Sequence, residues 1–132
     1  MAASRPGAPR GIPDCLKKRR LLHDQEISPD LCRQLGEKFL ALEWWEDALE
    51  FFQKGQVSEG LARLRELAIH SGDAHLMGRL GETDPAVWRQ VADVALAQGK
   101  LHFAHRALKA AGDDEAAAAV AARLCGPPAA QE

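Results

Sequence analysis

Apolar residues recur every three or four positions along most of the chain, and glycines, prolines and short polar residues interrupt them at close intervals. The interruptions are clearest between Asp84 and Gly112. Asp84 can accept a backbone N–H at a helix start, and Pro85 stands in the first turn, where its missing N–H costs nothing. Trp88, Val91, Ala92 and Ala95 then share one helical face, and Gly99 can end the helix in a left-handed conformation. Leu101, Ala104, Leu108 and Ala111 form the facing stripe of a second helix, stopped by Gly112. So short a connection turns the second helix antiparallel to the first. Ala92 and Ala104 are small where the two backbones approach.

The rest of the chain reads in the same terms. Residues 14–24 form a short helix with Leu16, Leu21 and Leu22 as its apolar contacts. Ser28, Pro29 and Asp30 open another, with Leu31, Leu35, Phe39 and Leu42 as its stripe and Cys32 as a small core residue. A helix over residues 44–54 follows, with Glu46 and Asp47 near its positive end. Residues 56–71 make one helix with Leu61, Leu64, Leu67 and Ala68 inward, Ser58 as its candidate cap and Gly72 as its end. Asp73 starts a shorter one with Leu76, Met77 and Leu80, closed by Gly81. Asp113 caps a last, alanine-rich helix over residues 114–124, with Val120 and Leu124 inward.

Two of these hairpins carry one order of residues. In the first it is Cys32, Leu35–Gly36, Phe39, Trp45, Ala48 and Phe52, with Glu43 at the turn and Gly55 last. In the second it is Trp88, Val91–Ala92, Ala95, Gly99, Leu101, Ala104, Leu108 and Ala111. The order resembles the tetratricopeptide repeat, in which bulky, small and turn-glycine positions alternate. Glu43 in place of the turn glycine, Gly55 in place of the last alanine, and Ala95 and Leu101 in place of aromatics depart from it. The hairpins lie 56 residues apart, against about 34 in a regular array. The order of residues from Trp88 to Asp113 is also similar to hairpins in the α-solenoids of vesicle coats and intraflagellar transport scaffolds. The resemblance implies a concave face for a peptide or helix of another protein, at Arg33, Glu37 and Leu40 in one hairpin and Arg89, Asp93 and Leu96 in the other. A convex or edge surface stays open as the alternative.

The expected fold is therefore all-α: stacked antiparallel helical hairpins of an α-solenoid, seven to eight helices, no sheet. One domain is expected over residues 14–126, between disordered tails at 1–13 and 127–132. Abundant Ala and Leu and scarce β-branched residues agree with helix. No apolar run is long enough to span a bilayer, and no secretory leader is legible, so a cytoplasmic location is expected. Cys15, Cys32 and Cys125 are odd in number and form no CxxC pair, which argues against a disulfide framework or structural zinc.

Charge adds one asymmetry. Residues 1–24 hold six Lys and Arg against two Asp, a net of +4, so a chain of net −2 carries −6 over the remainder. Lys17, Lys18, Arg19 and Arg20 form the core of that excess. They suit nucleic acid or an acidic partner, or they pair with the chain's own acidic body; no aromatic residue lies in the run to stack on bases. Catalytic chemistry is not legible. The hydroxyls Ser4, Ser28, Ser58, Ser71 and Thr83 fall mostly at caps, helix ends and the tail, and no nucleophile elbow, phosphate loop or dinucleotide turn occurs. His102 and His105 stand three apart, and His70 and His75 flank a turn, but no carboxylate joins them at a metal-ligand spacing. The carboxylates of Glu46, Asp47, Asp113, Asp114 and Glu115 favour positive helix ends. The chain is thus expected to be a non-enzymatic interaction module with no cofactor or metal. Trp45 is expected to be buried, and Trp44 to pack under the N-terminal helix rather than stand out as an anchor.

Overall fold

Six helices in succession end in the same hydrogen-bonded turn. After each, one residue takes a left-handed conformation: Glu43 (φ 63°), Gln56 (φ 55°), Gly72 (φ 68°), Gly81 (φ 78°), Gly99 (φ 76°) and Gly112 (φ 82°). The next N–H reaches back to a carbonyl five residues earlier: Trp44 to Phe39, Val57 to Phe52, Asp73 to Ala68, Glu82 to Met77, Lys100 to Ala95 and Asp113 to Leu108. This satisfies carbonyls that a helix end leaves without partners, and in five of the six cases only two or three residues separate one helix from the next.

The computed structural model describes residues 11–125. Among them are eight helices and no strand: α1 Cys15–His23, α2 Pro29–Ala41, α3 Trp45–Gly55, α4 Ser58–Ser71, α5 Ala74–Arg79, α6 Pro85–Ala97, α7 Leu101–Ala110 and α8 Asp114–Cys125. Of the expected tails at 1–13 and 127–132, residues 1–10 and 127–132 lie outside the described residues. Two compact units divide between Leu64 and Arg65, inside α4. No helix among the described residues is long and apolar enough to cross a membrane.

Helix starts follow the capping residues. Asp14 accepts from Lys17 N–H, Ser28 from Leu31, Asp73 from Leu76 and Asp84 from Ala86, each worth about 1 kcal/mol. Asp113 does the same for Ala116. Helices α3 and α7 have no side-chain cap, because Trp44 and Lys100 at their starts also complete the preceding turn.

In the first unit α2 and α3 form a closely packed antiparallel pair, and α1 lies against α3. Cys32, Leu35, Phe39, Ala48, Leu49, Phe51 and Phe52 make the core, and Phe39 stacks on Phe51 at 5.7 Å between ring centroids. Phe52 is held between two glycines. A Cβ on Gly36 would overlap its ring, and one on Gly60 would come within 2.6 Å of it. Gly60 lies in the first turn of α4, so a residue with no side chain brings α4 onto α3.

In the second unit α6 pairs with α7, α7 with α8, and the short α5 packs on both α6 and α7. Val91, Ala92, Ala95, Ala104 and Ala107 are fully buried. Gly72 sits against the Ala95 backbone, where a Cβ would stand 2.7 Å from the amide nitrogen. Glu82 organises the α5–α6 loop. Its carboxylate accepts from Arg65 Nε at 2.6 Å, from Asp84 N–H at 2.9 Å and from Thr83 N–H at 3.2 Å. Its carbonyl accepts from the Trp88 indole at 2.9 Å. The Arg65 hydrogen bond, then the Asp84 amide, hold the Glu82 carboxyl below the usual carboxylate range.

The two halves repeat at a spacing of 56 residues, and the repeat spans three helices rather than a hairpin. Pro29 and Ala41 bound α2 as Pro85 and Ala97 bound α6; Glu43 and Gln56 turn where Gly99 and Gly112 turn; α4 starts at Ser58 and α8 at Asp114. Several expectations are corrected. Leu16 is 70% exposed and Leu31 37% exposed. The inward line of α2 runs through Cys32, Leu35, Gly36 and Phe39, and Leu31 lies off it. Trp45, the first residue of α3, is half-buried at the rim of the hairpin, and Phe51 takes the deep position. Gln56 belongs to the turn, and Ser58 is itself the first residue of α4. Trp44 packs against Phe39 of α2, with ring centroids 5.9 Å apart.

The turns predict a graded response to alanine. Gly99→Ala, with open space around it, should cost about 1–2 kcal/mol for the left-handed backbone alone. Gly72→Ala adds a clash with backbone and should cost about 3 kcal/mol. Glu43→Gly should stabilise by about 0.5–1 kcal/mol, since relief of the left-handed strain exceeds the added freedom of the unfolded chain. Urea unfolding of the three variants measures all of these.

The lowered Glu82 pKa stabilises the fold fully above the unfolded carboxyl value of about 4.3. That contribution disappears as pH falls through the lower folded value. Glu82→Gln should cost about 1–2 kcal/mol at neutral pH and shrink the loss of stability on acidification, read by urea titrations across the acid range.

Candidate functional site

The first unit carries a shallow groove of about 420 Å³ lined by Glu37, Leu40, Ala41, Phe52, Glu59, Gly60 and Arg63. Its position follows from the turn after α3. Gln56 sends the chain directly into α4, Gly60 lets the start of α4 sit on Phe52, and residues of α2 and α4 thereby line one depression. Phe52 closes the floor, half-buried Leu40 forms one wall, and Glu37, Glu59 and Arg63 stand exposed at the rim. Neither Glu59 nor Arg63 has an ion-pair partner among the described residues. A second depression of about 550 Å³, lined by Asp30, Arg33 and the Gly55–Glu59 connection among others, shares Glu59 with the first.

Glu37 and Leu40, which the sequence marks, thus line an observed groove, and Arg33 lines the adjoining one. Arg33 is engaged within its own helix, with Asp30 at 2.5 Å and Glu37 at 3.5 Å. Gln34 adds a hydrogen bond to Asp30 at 2.8 Å. The site therefore presents Arg33 as part of a charge row along α2, with Asp30 on one side and Glu37 on the other. The sequence reading passed over Glu59, Gly60 and Arg63. A glycine in the first turns of an otherwise regular helix was the available signal, because it costs helix stability unless something approaches closely.

In the second unit Arg89, Asp93 and Leu96 share one face of α6, the first two exposed and Leu96 half-buried. They stand where Arg33, Glu37 and Leu40 stand in the first repeat. At the repeat positions of Phe52, Gly60 and Arg63 this unit has Leu108, Ala116 and Ala119. The equivalent surface thus has a side chain where the first unit has none, and alanine where the first unit has an arginine.

The basic run splits by helix face. Lys18 points inward and pairs with Asp47 and with Glu50, the latter at 2.5 Å. Its side chain is 18% exposed. Partial burial pushes the ammonium pKa down, but hydrogen bonds and charge from Asp47 and Glu50 outweigh it and leave the pKa raised. Lys17, Arg19 and Arg20 are exposed and make no ion pair among the described residues.

The histidines do not assemble a ligand set: no group of three His, Cys, Asp or Glu among the described residues stands close enough to hold a metal. His75 Nδ1 instead lies 3.2 Å from Arg106 Nη1. The Cys32 thiol is fully buried, and burial pushes its pKa up, which disfavours the reactive thiolate.

Lys18→Met should cost about 1–2 kcal/mol, because it leaves Asp47 and Glu50 facing an apolar chain. The raised Lys18 pKa stabilises the fold below the ordinary lysine value of about 10.4 and ceases to as pH rises through the higher folded value. Thermal unfolding of both proteins from neutral to strongly alkaline pH should show their difference narrowing at the alkaline end.

No family model, no curated protein and no solved structure matches the chain.

Proposed function

We propose that the protein is a non-enzymatic interaction module, an α-solenoid of the kind the tetratricopeptide resemblance implies, and that it holds a short segment of another protein against α2 and α4. The observation that carries this reading is the α2–α4 groove. An apolar floor with charges of both signs at the rim suits a peptide or helix, which offers alternating apolar and polar side chains. Half-buried Leu40 takes an apolar side chain, with the buried Phe52 packed beneath. Glu59, which has no partner of its own among the described residues, takes a basic one, and Arg63 takes a carboxylate or a chain carbonyl.

The groove is shallow and open, so affinity depends on a few anchors rather than on enclosure. The second unit has Leu96 and Asp93 on the equivalent face but fills the Gly60 position with Ala116. The two repeats therefore differ in what they accept.

Selection of a displayed peptide library on the full chain tests the reading. Selected peptides should combine an apolar with a basic residue, and Leu40→Lys should weaken them at least tenfold while the helical circular dichroism is unchanged. Peptides that bind Leu40→Lys and Arg63→Glu as tightly as the parent would overturn it.

A further inference from the structure

The outward face of α1 is a second surface, and its composition differs from that of the groove. The Lys18 ion pairs with Asp47 and Glu50 fix how α1 is rotated on α3. Leu21 and Leu22 lie on the same side of the helix as Lys18 and are half-buried. With that side held, Leu16, Arg20 and His23, spaced i, i+4 and i+7, form a line facing away. Arg19 and Lys17 flank it, and all five side chains are exposed. Leu16 is 70% exposed, the most open of the large apolar side chains among the described residues. The helix has no carboxylate of its own: Asp14 is taken up as the N-cap, and Asp24 accepts from the Glu26 amide.

We infer that this face docks an acidic segment of another protein, one that sets an apolar residue on Leu16 and carboxylates on Lys17, Arg19 and Arg20. Charge complementarity selects an anionic partner, because three basic side chains stand together and make no ion pair among the described residues. The exposed leucine chooses among anionic partners. A nucleic-acid backbone gains nothing from an apolar contact placed among its phosphate contacts, and the face has no aromatic side chain on which a base could stack. An anionic bilayer binds through a broad apolar stripe, and this face offers one leucine. A protein segment supplies both an apolar side chain and carboxylates at helical spacing. The surface is small, so the contact is weak and sensitive to salt.

The test uses the full chain and three probes followed by fluorescence anisotropy or co-sedimentation: a short helical peptide with leucine flanked by glutamates, a DNA duplex, and phosphatidylserine-containing vesicles. The peptide should bind, Leu16→Ala should weaken it about tenfold, and joint reversal of Lys17, Arg19 and Arg20 to glutamate should abolish binding. These side chains are exposed, so circular dichroism should not change. Lys18→Met, which loosens the helix but keeps the outward charges, should weaken the peptide without abolishing it. Failure of the peptide to bind, or binding indifferent to Leu16, would overturn the inference. So would a duplex or vesicle that binds more tightly than the peptide, or self-association of the chain that Leu16→Ala removes.

Discussion

The left-handed residue that closes each helix is the constraint from which the rest follows. It ties one amide to a carbonyl five residues back and turns the chain, and everywhere but the α5–α6 loop the next helix starts within two residues. Because Trp44 and Lys100 complete one turn and begin the next helix, the direction of α3 relative to α2, and of α7 relative to α6, is set by local backbone geometry before any side chain packs. Glycine serves at four of the six places; Glu43 and Gln56 accept the same backbone at a cost. Both exceptions lie in the first unit, where the aromatic core of Phe39, Phe51 and Phe52 supplies burial that the alanine-rich second unit does not have.

Close approach is the second half of the design. Where helices meet, one partner gives up its side chain: Gly36 and Gly60 to Phe52, Gly72 to the Ala95 backbone, and Ala92 and Ala104 in the second hairpin. The α2–α4 groove is a by-product of this economy. A helix held that near its neighbour by a glycine leaves a furrow, edged by Glu37, Glu59 and Arg63. The same logic places α1. Its one inward lysine is spent on Asp47 and Glu50, and that fixes which of its charges face outward.

Much of this was legible in the residues themselves. The capping aspartates, the prolines at the first turns and the helix-ending glycines give eight helices and most of their ends. The 56-residue recurrence was visible as two hairpins, and its extension to α4 and α8 was not, because Gly60 and Ala116 carry too little side chain to register as a pattern. Leu31 and Leu16 misled for a related reason. Periodicity finds an apolar stripe but cannot tell its centre from its edge, and Cys32 rather than Leu31 lies at the centre of α2. The resemblance marks Glu37 and Leu40, which line the groove, whereas Glu59 and Arg63 line it only because of where the start of α4 lies on α3.

The structure thus builds outward from backbone conformation: turns fix helix direction, and small residues fix how close the helices lie. Its foundation can be measured directly by amide hydrogen exchange at Trp44, Val57, Asp73, Lys100 and Asp113, five of the six amides that close the turns. Protection matching that of the adjoining helices is expected at all five. Exchange at the rate of a free peptide at these positions, while the helices on either side stay protected, would contradict it.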